Sequence, residues 1–196
     1  MQNCPKIIAI CGLKRSGKDT IADYLCSTYG YTKVKIANPL KQSLKVMFGF
    51  TDEQLESDRK DVIDERWGVE PRKIMQFMGT EVMQYKLQEI MPDIGRRFWI
   101  KNLIEEHIKC MSNNSLLVIP DLRFKHEYNM LMSYNTVFWR VDRITDIDNA
   151  SHPCDIHVSE QEYLDIPVSY IYKNKDRKNL YKQIDEILNN IQTNQT

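Results

Sequence analysis

Lys6-Ile7-Ile8-Ala9-Ile10-Cys11-Gly12-Leu13-Lys14-Arg15-Ser16-Gly17-Lys18-Asp19-Thr20 decides the architecture of this chain. Its first part, Lys6–Cys11, is apolar at consecutive positions rather than alternate ones, which suits a strand buried on both faces of a parallel sheet. Beyond it, Ile21, Ala22, Tyr24, Leu25 and Tyr29 recur at helical spacing and end near Gly30. Gly12 to Lys18 lie between strand and helix and fit G-x-x-x-x-G-K. The glycines let backbone N–H groups curl around an anion, and the helix N-terminus adds partial positive charge. Lys18 can then bridge the β- and γ-phosphates of ATP as a point charge. A surface turn that is merely rich in Gly and Lys would not be framed by these two elements.

Outward from this stretch, strands and helices alternate. Thr32–Ile36 predicts a short strand, and Pro39–Phe48, closed by Gly49, predicts a helix with proline in its first turn. The charged stretch Thr51–Arg66 predicts one short helix and a loop. Pro71 opens a helix expected to set Ile74, Met75, Met78, Val82 and Tyr85 along one face, and another runs from about Gly95 to Met111. Ser115–Pro120 (S-L-L-V-I-P) is a second buried strand. A helix over Lys125–Tyr134, strands at Thr136–Val141 and Val168–Tyr172, and a helix from Asp176 to about Ile191 complete the series. This alternation implies a parallel sheet covered on both sides. A single domain over 1–196 is expected, with a helical region at about 39–111 and an irregular stretch at 142–166, long enough to act as a lid.

Lys plus Arg balance Asp plus Glu, 27 against 27, which argues against a nucleic-acid binder. Five cysteines without C-x-x-C or zinc spacing read as reduced thiols. The N-terminus carries no basic, apolar leader pattern, and no apolar run approaches the roughly 20 residues of a membrane span. A soluble, cytoplasmic protein without a membrane partner is the expectation.

Asp19 stands where Ser or Thr normally meets Mg²⁺, and Thr20 follows it. Either its carboxylate serves the metal, directly or through water, or it only caps the helix start. Asp121-Leu122-Arg123 follows the second buried strand, at the edge where ligands bind in open α/β sheets. A carboxylate there can polarise an acceptor or organise Mg²⁺ and water, and Arg123 can clamp an anion; a surface salt bridge is the plainer alternative. Glu127 is spaced to be an i, i+4 partner of Arg123. Arg140 and Arg143 end the Thr136–Val141 strand, either to close on phosphates or as solvated surface arginines. Asn174-Lys175-Asp176 lacks the spacing of a guanine-binding motif, and its position after the last strand places it near the ATP base. His107, His126, His152 and His157 share no metal-ligand spacing.

The stretch Gly12–Tyr24, G-L-K-R-S-G-K-D-T-I-A-D-Y, resembles the P-loop of phage-type deoxynucleoside monophosphate kinases. Arg72–Thr80 is similar to that family's R-x-x-x-Q-x-x-G-T helix, Phe98–Lys101 to its aromatic-Trp-x-Lys segment, and Asp121–Glu127 to D-x-R-x-x-H-E. His157-Val158-Ser159-Glu160 is a weaker echo. The connection ahead of the Arg72 helix is shorter than in phage members, so the preferred base stays open. The resemblance implies an α/β fold: a three-layer P-loop NTPase of nucleoside monophosphate kinase type around a central parallel sheet. It implies ATP contacts from Gly12, Lys14, Arg15, Ser16, Gly17, Lys18, Asp19 and Thr20. Acceptor contacts fall to Lys14, Arg72, Gly79, Thr80, Trp99, Lys101, Asp121, Arg123 and Glu127. Catalytic roles fall to Lys18, Asp121 and Arg123, with Mg²⁺ met at Asp19 as ATP's cofactor. Cations around both anions, here Arg72, Lys101 and Arg123, are what phosphoryl transfer demands. Trp99 offers a face for a base or deoxyribose, or is an ordinary core tryptophan. The expected partners are ATP and a nucleoside monophosphate, and a homodimer is allowed for. Two alternatives are a P-loop kinase for another phosphorylated acceptor, such as phosphomevalonate, and a nucleotide-binding regulator without turnover.

Overall fold

The computed structural model describes residues 4–143 and 161–193. It contains strands β1 (Ile7–Cys11), β2 (Thr32–Lys33), β3 (Leu117–Ile119), β4 (Thr136–Arg143) and β5 (Tyr170–Asn174). Its α-helices are α1 (Lys18–Tyr29), α2 (Asn38–Phe48), α3 (Asp52–Glu56), α4 (Pro71–Gln76), α5 (Phe98–Leu103), α6 (Lys125–Leu131) and α7 (Arg177–Thr193). Two compact units divide the chain: residues up to Lys35 together with those from Glu105 onward, and Ile36–Ile104.

The first unit is built on a five-stranded sheet in the order β2-β3-β1-β4-β5, with every pairing parallel. β1 sits in the middle, between β3 and β4, so all five of its residues are buried, as its unbroken apolar run requires. Alternate side chains sort to opposite faces. Ile8, Ile10, Val118, Trp139, Val141 and Tyr172 form one core with Ile21, Ala22 and Leu25 of α1 and Leu180, Ile184 and Leu188 of α7. On α6, Tyr128 sets its ring 4.5 Å from that of Phe138 on β4. A three-layer α/β arrangement with a central parallel sheet results, and the order reverses at β1, where ligands bind in such sheets.

Several element bounds differ from expectation. β2 covers only Thr32–Lys33, because pairing with β3 stops there. β4 runs on to Arg143, since Asp142 and Arg143 pair with Lys173 and Asn174 of β5. Of the stretch expected to be irregular at 142–166, Asp142 and Arg143 end β4 and Glu162–Asp165 form a 3₁₀ turn. Positions 144–160, with the His157–Glu160 echo, lie outside the described residues.

In the second unit, Thr51 and Gln54 form a reciprocal capping box that starts α3. Asp64 fixes the loop that follows, accepting from Gln54 Nε2 at 2.6 Å and from Arg66 Nη2 at 2.7 Å. Trp67 Nε1 ties the same loop to the Phe48 carbonyl at 2.9 Å. α4 continues into a wider π-helical segment, Phe77–Tyr85, a form that often marks functional sites. This helix withdraws its expected apolar face only partly from solvent. Its buried positions are Pro71, Arg72, Gly79, Thr80 and Gln84, while Tyr85 is exposed and Ile74, Met75, Met78 and Val82 are only half-buried. Three of the most protected positions, Arg72, Thr80 and Gln84, carry polar side chains, which hydrophobic spacing does not register. The stretch from Gly95 is likewise composite: a 3₁₀ turn, α5, then π-type pairing over Ile104–Ile108.

Candidate active site

The loop after β1 is shaped by backbone conformation. Gly12 and Gly17 have φ of 141° and 111°, and Arg15 adopts φ 61° although it carries a side chain. A Cβ on Gly12 would stand 2.5 Å from the Val141 carbonyl oxygen, so only glycine passes beside β4. Ser16 N closes the turn on the Leu13 carbonyl at 3.2 Å. Lys18 curls back over the loop and donates its ammonium to the Gly12 carbonyl at 2.7 Å and to that of Leu13. Ser16 is 1% exposed, and its Oγ is buried without a hydrogen-bond partner. Cys11, beneath the loop, has its thiol pushed up to about 11 by burial, against the pull of Arg140 and Lys18, which keeps it a thiol.

Asp19 lies in the first turn of α1, whose cap position is Gly17. Its carboxylate is largely exposed and meets Lys35 Nζ at 3.0 Å and Lys33 Nζ at 4.0 Å. Desolvation pushes the carboxyl upward, but Lys35, Lys33 and Lys18 outweigh it and hold the group below the usual carboxylate range. Its oxygens are thus ionised and hard, as Mg²⁺ prefers. Thr20 follows, half-buried, on the same turn. Among the described residues no three His, Cys, Asp or Glu side chains group into a metal cage.

Asp121 and Arg123, both half-buried, follow β3 at the same sheet edge. Glu127 is buried, and its Oε2 accepts from the backbone N–H of Arg123 at 2.9 Å and of Phe124 at 3.0 Å. The sequence spacing thus brings Glu127 to the main chain of Arg123. Burial pushes the Glu127 carboxyl up to about 8, helped by the charge of Asp121 and opposed by the two N–H donors and Arg123. Arg140 sits opposite Cys11 in the sheet, half-buried, and pairs with Asp142 at 3.2 Å.

Within the second unit, Arg72 is 7% exposed and presents Nε and Nη2 to the carboxylate of Asp61. The two-point pairing fixes the guanidinium along one edge. Gln76, one turn on, has a buried Nε2 without a hydrogen-bond partner. Gly79 and Thr80 complete the polar face, and a Cβ on Gly79 would come 2.7 Å from Leu40 Cδ2. Trp99 is 8% exposed and donates Nε1–H to the Gly79 carbonyl at 2.8 Å, so its indole braces α5 against the widened helix. Lys101, two residues on, is exposed.

Sequence reasoning gave no role to three residues that this geometry picks out. Lys35 and Asp61 are charge partners visible only once the chain is folded. Gln76 was legible inside R-x-x-x-Q-x-x-G-T, but nothing marked its amide as buried. Sequence position sets the Asn174–Asp176 loop near the ATP base, and in the fold the Asn174 side chain donates to the Ser16 carbonyl of the phosphate loop at 2.6 Å.

Comparison with known proteins points one way. The profile described as "Deoxynucleotide monophosphate kinase" matches residues 6–67 and 47–184. A protein of Acanthamoeba polyphaga mimivirus, provisionally named deoxynucleotide monophosphate kinase, is 30% identical over 195 residues, 94% of this chain and 96% of its own. The deoxynucleotide monophosphate kinase of Enterobacteria phage T4 is 46% identical over 44 residues, 22% of this chain and 18% of that one. Among solved structures, a dephospho-CoA kinase from Campylobacter jejuni superposes with a TM-score of 0.50 at 14% identity, covering 94% of this chain and 98% of that one. A gluconokinase from Sinorhizobium meliloti reaches 0.50 at 11% identity, over 97% and 95%. These two likenesses support the fold alone. The profile takes in the strand ahead of the phosphate loop, the polar face of α4, the Asp121–Glu127 segment and the last strand, and the chain belongs to the deoxynucleotide monophosphate kinase family.

Proposed function

We propose that this chain transfers the γ-phosphate of ATP to a deoxynucleoside 5′-monophosphate in the cytoplasm. One observation carries the reading: in a chain of this family, the loop Gly12–Lys18 holds three residues at positive φ, with Lys18 folded over it. Such a loop fits a triphosphate. Ser16 Oγ lacks a partner, and the Lys18 ammonium rests on carbonyl oxygens that phosphate oxygens can replace. Lys14, Arg15 and Thr20 flank the same anion.

The acceptor's phosphate oxygen forms a bond to the γ-phosphorus while the bond to the β–γ bridging oxygen breaks, leaving ADP and a nucleoside diphosphate. Charge neutralisation sets the rate of such a step. Lys18 meets the β- and γ-phosphates, and Arg123 meets the group being transferred. Asp121 orients the acceptor or its water, while Glu127 holds the main chain that carries Arg123. Arg72, aimed by Asp61, takes the acceptor phosphate, with Lys101 as a second cation. Gln76, Gly79 and Thr80 line the acceptor's side of α4. Mg²⁺, when bound with ATP, supplies positive charge between the phosphates. Asp19 gives it one hard oxygen, or Thr20 its hydroxyl, and a single protein ligand beside phosphates and waters is normal for this ion.

The test is ADP release, coupled to a reporter enzyme, against every deoxy- and ribonucleoside monophosphate. The expected result is acceptor-dependent release that favours deoxyribose. Lys18→Ala is expected to lose at least about a hundredfold in turnover, as deletions of one catalytic donor do, with its unfolding midpoint unchanged. If no monophosphate stimulates release, or if the variant stays within about tenfold of the wild type, the reading fails.

A further inference from the structure

We infer that Asn174 is a positioning residue that holds the phosphate loop in its binding shape through the Ser16 carbonyl. The inference rests on the reading of Gly12–Lys18 as the ATP phosphate loop. Asn174 Nδ2 donates to Ser16 O at 2.6 Å, joining positions 158 residues apart. The peptide joining Ser16 to Gly17 is planar, and its C=O and N–H point in opposite directions. Anchoring the carbonyl on Asn174 therefore turns the Gly17 N–H away from Asn174. An anion in the loop needs that donor facing it.

Asn174 is itself braced. Its neighbour Lys173 has both backbone groups held by one amide: Lys173 N donates to Gln183 Oε1 at 3.2 Å, and Gln183 Nε2 donates to Lys173 O at 3.1 Å. On the other side, Asp176 starts α7, accepting from Asn179 N at 2.8 Å through its side chain and from Leu180 N at 3.0 Å through its carbonyl. Asn174 also pairs in register with Arg143. A short side chain on such a mount can aim one hydrogen bond.

The loop makes room for it. A Cβ on Gly17 would lie 2.5 Å from Asn174 Nδ2. Gly17 thus meets two demands, its φ of 111° and the approach of this amide. Arg15, left-handed at φ 61°, keeps that conformation only if its surroundings fix it, and the neighbouring Ser16 carbonyl is where Asn174 acts.

The experiment pairs calorimetric titration of ATP with steady-state kinetics on Asn174→Leu, which keeps the size and removes the donor. The expected result is an ATP Kd raised about tenfold, the scale of one lost hydrogen bond, with the KM for the monophosphate within about twofold of wild type. A merely structural contact would lower the unfolding midpoint and leave ATP affinity in the folded protein as it was. That outcome overturns the inference. If Asn174→Leu does not fold, Asn174→Ala decides, because it removes the donor without adding charge: weaker ATP binding supports the clamp, and wild-type affinity refutes it. Gln183→Leu, which loosens the mount alone, should shift ATP affinity in the same direction by less. Should the wild-type chain not bind ATP, the phosphate-loop reading fails, whatever the clamp does.

Discussion

At the scale of single residues, the two arginines separate by role. Arg72 is held by Asp61 within a buried face, so a lysine, which lacks the planar fork, would not keep both that pair and the phosphate contact proposed for it. Arg72→Lys should raise the KM for the monophosphate and leave that for ATP nearly unchanged. Arg123→Lys should instead lower kcat with little change in either KM, at a cost of about 2–4 kcal/mol in transition-state stabilisation. Steady-state kinetics with each substrate varied checks both, and weakening of ATP alone in both variants would remove the acceptor assignment. Glu127 makes a separate prediction in pH. Its folded value of about 8 lies above the ordinary 4.5, so the fold favours the protonated form. Its contribution to stability is complete below pH 4.5 and is lost as pH rises through about 8. Urea unfolding from pH 5 to 9 should show wild type losing stability relative to Glu127→Gln, which keeps an oxygen acceptor and does not titrate. A constant difference across that range would mean the carboxyl is ionised throughout.

At the scale of elements, α4 with its π-helical extension carries the most information. Arg72, Gln76, Gly79 and Thr80 fall at helical spacing, one or two turns apart, and the polar face they form is largely withdrawn from solvent. The helix buries Arg72 and Thr80 while leaving Phe77 59% exposed, the inverse of ordinary core packing, which is what the proposed acceptor role of this face would require. The indole of Trp99 holds this segment by its N–H bond to Gly79 O. Trp99→Phe keeps most of the ring and leaves that buried carbonyl without its donor, so it should cost about 1–3 kcal/mol in stability. If the indole is only a brace, the monophosphate KM should rise by no more than the loosened Gly79 explains, and Trp99→Phe should bind purine and pyrimidine acceptors with the same relative loss. A loss confined to one base class would show that the ring stacks on the base instead.

At the scale of the molecule, the phosphate loop depends on a sheet whose central strand is sealed on both faces. α7 closes one side through Leu180, Ile184 and Leu188, all fully buried, and the strand ahead of α7 ends at Asn174. Stability and ATP affinity should therefore move together when α7 is loosened. Ile184→Ala should cost about 2–5 kcal/mol, as large-to-small core changes do, and should also weaken ATP binding, read by calorimetry at a temperature where the variant is folded. Unchanged ATP affinity in the folded variant would mean that the phosphate loop is independent of α7 packing.

What the sequence determined by itself was the part written in contiguous residues. The run Lys6–Cys11, the spaced glycines and the apolar stripe of α1 sit side by side, so local conformation and the parallel sheet could be read directly. The motifs around Arg72, Trp99 and Asp121 were legible for the same reason. What only the tertiary structure decided depends on partners far apart in the chain. Asn174 reaches Ser16 across 158 residues, and Lys35 reaches Asp19 from a neighbouring strand end. The burial of Arg72, Thr80 and Gln84 along α4 and its extension belongs here too, because hydrophobic periodicity marks an apolar face and carries no signal for polar positions that tertiary packing covers. The end of β4 was set by its pairing with β5, which no run of residues within β4 encodes. Hydrogen bonds and ion pairs are short-ranged in space, not in sequence, so these contacts exist only once the fold has brought their partners together.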